Sequence, residues 1–68
     1  MTLIFVGHDN WDRPVYENNG KFFVDVNPRK GWPAEICTKT NNELDGEPDS
    51  VAFIGAEIEF VPSRILWE

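Results

Sequence analysis

A mainly β fold is predicted for this 68-residue chain: a small twisted antiparallel sheet or partly open barrel of about five short strands, with at most one short helical turn. Three features predict it. The run TLIFVG (2–7) is apolar, ends at Gly7 and is too short for a helix of ordinary length. The segment RPVYENNGKFFVDV (13–26) sets Asn-Asn-Gly between two β-favouring stretches, the pattern of a hairpin. The segment EIEFV (57–61) alternates, with Ile58 and Phe60 inward and Glu57 and Glu59 outward.

The remaining segments fit this frame. HDNWDRP is a polar connection closed by Pro14. The hairpin admits two registers. A two-residue Asn19-Gly20 loop sets Glu17 opposite Phe22. A three-residue loop sets Glu17 opposite Lys21, Val15 opposite Phe23 and Arg13 opposite Asp25. Opposite charges and apolar pairs across strands favour the second register, with Tyr16, Phe22, Val24 and Val26 on the core side. NPRKGWP (27–33) is a loop by its Pro and Gly content, and AEICTKT (34–40) is a strand with Ala34, Ile36 and Thr38 on one side. SVAFIGA (50–56) reads as strand or as one helical turn capped by Ser50. RILWE (64–68), after Pro62, is expected as a short edge strand. No internal repeat or linker divides the chain, so residues 1–68 are read as one domain.

So small a domain buries little surface and depends on dense packing, a metal, disulfides or self-association. Cys37 is the only cysteine, which excludes an internal disulfide and fits a reducing, cytoplasmic setting. Three Trp, five Phe and one Tyr supply the packing instead. The net charge of −6, from 12 acidic and 6 basic side chains, argues against direct binding to nucleic acid or an anionic membrane. It suits basic partners, including the nucleic-acid clefts of other proteins.

The stretch NNELDGEPDS (41–50) concentrates that charge, with Glu43, Asp45, Glu47 and Asp49 at alternate positions. As an EF-hand-like calcium loop it fails: the position that needs a bidentate carboxylate falls on Ala52, and Pro48 interrupts it. Two readings remain: an acidic surface shaped for a cationic cleft, or a solubilising turn rich in Asn, Asp, Gly and Pro. His8, Cys37 and Asp9 lack any local signature of a thiol enzyme, and a lone strand cysteine is more often a small buried hydrophobe. No set of zinc ligands, glycine-rich phosphate loop or cofactor signature is present, so neither a catalytic residue nor a cofactor is expected.

Trp11 and Trp32 lie in polar loops, where a large aromatic is either a lid on the core or an exposed anchor; a small core favours the lid. Trp67 is expected in the core or at a dimer contact. Arg13, Arg29, Lys30 and Trp32 make an alternative constellation, in which stacking and nearby cations would hold a nucleotide.

The string DNWDRPVYENNGKFFVDVNPRKGWPAEICTKTNNELDGEPDS, with its WDRPVYE opening, Gly-bearing turn, DVN and NNELDGEPD loop, resembles a large polyvalent protein-associated domain. Such domains occur within very large, multi-module proteins of phages and conjugative elements. The likeness spans roughly residues 9–61. It implies a mobile-element accessory protein in a bacterial cytoplasm and carries over no catalytic residue. The chain departs from that setting by standing alone with its own Met1, which suggests a stand-alone effector with a counter-defence role. The expectation is a non-enzymatic module that binds a host protein, such as a nucleic-acid-binding defence protein, through Glu43, Asp45, Glu47, Asp49, Trp11 and Trp32. An oligomeric nucleotide sponge and a purely structural interaction domain are the alternatives.

Overall fold

Five strands run as an antiparallel meander and a sixth returns to lie beside the first, in a computed structural model that describes residues 1–54 and 58–67. They are β1 (Thr2–His8), β2 (Pro14–Asn18), β3 (Lys21–Asp25), β4 (Glu35–Lys39), β5 (Pro48–Ile54) and β6 (Glu59–Val61). One 3-10 turn, Thr40–Asn42, is the sole helical element among the described residues. The order across the sheet is β5-β4-β3-β2-β1-β6. The fold is mainly β as expected, but the sheet is mixed, because β6 pairs parallel to β1. The ambiguous segment after Ser50 is strand up to Ile54; residues 55–57 lie outside the described residues.

The sheet has to curl. From Ile54 to Glu59 the chain can advance at most about 18 Å. Six flat strands would hold β5 and β6 about 24 Å apart. Curling brings Phe53 of β5 and Phe60 of β6 onto one cluster with Leu3, Tyr16, Phe23, Ala34 and Ile36. Tyr16 is 0% exposed and meets the rings of Phe5 and Phe60 at 5.9 and 5.0 Å between centroids. The edges β5 and β6 do not pair, so the barrel stays open.

The opposite face carries a second cluster of Val15, Val24 and Cys37, covered by Phe22, Val26 and Leu44. Leu44 is the one apolar residue of the acidic stretch, so the loop between β4 and β5 folds back over this face. Cys37 is the small buried hydrophobe expected, and burial pushes its thiol pKa up, away from the thiolate.

The hairpin takes the two-residue register, not the favoured one: Glu17 faces Phe22, Tyr16 faces Phe23 and Val15 faces Val24. Asn19 and Gly20 both have positive φ, 51° and 79°, the requirement of the turn whose twist matches the strands. A side chain from 20 residues away adds to this. Asn42 accepts from the Phe22 amide at 2.7 Å and donates to the Gly20 carbonyl at 2.9 Å, extending the β3 ladder beyond β4. Turn geometry and this amide clamp outweigh cross-strand charge pairing. The core assignment changes with the register: Tyr16 shares its face with Phe23, while Phe22, Val24 and Val26 lie with Val15. Asp25 faces Ile36 of β4 and is 0% exposed.

Residues 63–67 form no strand, contrary to expectation; Glu68 lies outside the described residues. Residues 63–67 make an irregular strap held by side chains. Arg64 donates to the Asp25 carboxylate (2.9 Å), the Asn27 carbonyl (2.9 Å) and the Trp32 carbonyl (2.6 Å). The Ile65 amide donates to the Tyr16 hydroxyl at 3.0 Å, and the Trp67 amide to the Pro28 carbonyl at 2.8 Å.

Candidate binding face

A buried lysine organises the acidic loop. Lys39 Nζ donates to Asp9 Oδ2 and to the Gly46 carbonyl, both at 2.8 Å, and its side chain is wholly buried. The loop is further closed by bonds from Thr40 N to Glu47 O and from Gly46 N to Glu43 O. A Cβ at Gly46 would stand 2.5 Å from the Thr40 carbonyl oxygen. Gly46→Ala should therefore displace the loop and lower stability by about 1–3 kcal/mol, read from the urea midpoint. An unchanged midpoint would mean that the loop is not fixed this way. The stretch is thus an ordered turn as far as Glu47, with Asp49 on edge strand β5. Glu43, Asp45, Glu47 and Asp49 are all exposed, and among the described residues none of the four forms an ion pair.

Asp9 is the other half of this hub. Besides Lys39, it accepts from the Trp11 amide (2.9 Å), the Arg13 amide (3.0 Å) and Arg13 Nε (2.9 Å). Burial alone would raise its pKa, but these hydrogen bonds outweigh it and hold the carboxyl below its ordinary 3.8. The same carboxylate therefore shapes the loop that carries Trp11. Lys39 fastens that loop to the acidic one, whose Leu44 covers the second face.

Trp11 is not a lid. It is 69% exposed, and Trp32 is 57% exposed, because Leu44 and the strap cover the sheet instead. Trp11 and Trp67 stand together with His8, Asp12 and Leu66 around an open groove of about 700 Å³. Two local irregularities build it. An extra residue in β1 between Phe5 and Gly7 brings His8 edge-to-face with Phe5, their ring centroids 5.3 Å apart. Asp12 adopts a positive φ of 59°, which presents its carbonyl to Trp67 Nε1 at 2.6 Å. Trp67, expected in the core or at a dimer contact, is a groove wall. Its role could not be read from the C-terminal alternation, because a bond to a residue 55 positions away sets it.

The cationic constellation is divided. Arg13 is tied to Asp9 and lies 5.7 Å over the Trp11 ring. Arg29, Lys30 and Trp32 are exposed on the β3–β4 loop, which turns through Gly31 at φ 85°. Among the described residues no hydrogen bond, ion pair or ring contact joins Arg13 to any of the three. Arg64, absent from the expected site, is the cation that organises that loop.

Compared with known proteins, the chain matches no protein-family model, no curated protein and no solved structure.

Proposed function

We propose that this protein is a non-enzymatic binding module that seats a basic surface of another protein on its acidic loop and Trp11. One observation carries this reading: Lys39 fastens the loop bearing Glu43, Asp45 and Glu47 to the loop bearing Trp11, so that one buried ammonium holds both the exposed carboxylates and the backbone of the exposed indole. Carboxylates with no partner of their own raise the encounter rate with a cationic surface. An exposed indole on a fixed backbone is the residue type that anchors interfaces. The resemblance of residues 9–61 to phage and conjugative-element domains supplies the setting, in which the partner is a host protein such as a defence nuclease and binding blocks its nucleic-acid cleft.

The test neutralises charge without removing volume. Partners captured from a bacterial extract on the wild type are compared with those held by E43Q/D45N/E47Q/D49N, and the pair is then titrated with both proteins purified. Loss of about 30-fold or more in affinity, with an unaltered circular dichroism melt, is the expected result. Equal affinity for the two forms would end the reading. A nona-arginine peptide gives a partner-independent check: its amide shift perturbations should centre on residues 43–49 and Trp11, and fade in the variant.

A further inference from the structure

We infer that the groove between Trp11 and Trp67 takes a guanidinium group, an arginine side chain of the partner. This rests on the binding reading above and names the chemistry of its anchor. The groove is lined by Trp11, Trp67, His8, Leu66 and Asp12, with no lysine or arginine among them. Such a lining offers apolar and π surface together with one negative charge, and Asp12 has no ion pair among the described residues. The nearby Arg13 guanidinium is already paired with Asp9, so an anionic ligand would meet no unpaired countercharge in this lining. A purely apolar side chain would strip water from Asp12 and return nothing to it. A flat cation satisfies both features, stacking on the rings while its N–H groups reach the carboxylate.

The indoles are already disposed for this. The Trp67 indole spends its only donor on the Asp12 carbonyl, so the ring presents its face rather than its N–H. Trp11 accepts a guanidinium over its ring from Arg13, which is not a groove wall and whose charge is met by Asp9. Guanidinium is favoured over ammonium because it is planar and less strongly hydrated, so it loses less on entering between rings.

The probe is N-acetyl-arginine amide, titrated into 15N-labelled protein while the three indole N–H resonances are followed. N-acetyl-citrulline amide, of the same shape and no charge, is the control, and Trp32 is the internal reference. Saturable shifts at Trp11 and Trp67 in the millimolar range are expected with the arginine amide alone. Asp12→Asn, which keeps the shape and tolerates the left-handed backbone, should weaken it about fivefold, and Trp11→Ala about tenfold. Equal shifts with citrulline amide, or a Trp32 response as large as that of Trp11, would overturn the assignment.

The outcome separates from that of the binding reading. The arginine amide should still bind E43Q/D45N/E47Q/D49N. If the amide fails to shift Trp11 and Trp67 while nona-arginine binding still depends on the four loop acids, the groove anchor falls and the acidic face stands. If the amide binds the groove but nona-arginine is indifferent to those acids, the acidic face falls instead.

Discussion

Lys39→Met should cost about 3–5 kcal/mol, enough to leave much of the protein unfolded at 25 °C, since a domain of this size holds roughly 3–10 kcal/mol in all. The ammonium is wholly buried, and its loss strands the Asp9 carboxylate with only the Arg13 side chain for charge compensation. The Gly46 carbonyl loses its donor as well. Adding Asp9→Asn should recover part of the loss, because a buried charge left without its partner costs more than the removal of both. Urea unfolding of the two variants measures this, and a double variant no more stable than Lys39→Met would refute it. The same hub sets the acid response. The folded-state pKa of Asp9 lies below its unfolded value near 3.8, so its contribution is fully present above that pH. The contribution is lost as pH falls through the folded value, and stability should decline below about pH 4. In the double variant this part of the decline should be missing.

Arg64→Leu is the second large effect, about 3 kcal/mol. It removes the only cation paired with Asp25 among the described residues, and leaves that 0%-exposed carboxylate with just the Asn27 amide. It also takes donors from the Asn27 and Trp32 carbonyls, so the strap and the β3–β4 loop lose their common post. Arg64→Lys should recover less than half of this, because a single ammonium cannot serve three acceptors in a planar fork. Thermal melts rank the variants. A lysine form as stable as wild type would show that charge alone, without the fork, holds the strap.

Both effects involve residues whose roles were illegible in the sequence, and for one physical reason. The first four strands could be read because each is encoded within its own few residues, by apolar alternation and by the turn formers that bound it; the sequence leaves β5 open between strand and helical turn, and the strand expected at 64–68 is an irregular strap through residue 67. The partners of Asp9, Asp25 and Tyr16 lie 30, 39 and 49 positions away, and no local pattern marks them. Asp25 was therefore expected to face Arg13 across the hairpin, and its burial was missed. The hairpin register has the same cause: cross-strand pairing contributes only about 0.2–1 kcal/mol, and Asn42 with the twist of the Asn19-Gly20 turn outweighs it. At the candidate face the exposed acids were legible as turn chemistry. Trp11 is an exposed indole rather than the expected lid because Leu44 already covers the second cluster, a contact no local pattern marks.

The strap also sets an order of events in folding. The meander of β1 to β5 joins neighbours along the chain, so each pairing closes a short loop. The strap's bonds to Asp12, Tyr16, Asp25, Asn27 and Trp32 close loops of 32 to 55 residues, and gain nothing until their acceptors are already in place. It therefore docks late, and Arg64→Leu should speed unfolding while leaving the folding rate near that of wild type. Leu66 and Trp67 are carried by this late segment, so the groove is complete only once the strap has docked, and it opens whenever the strap lets go.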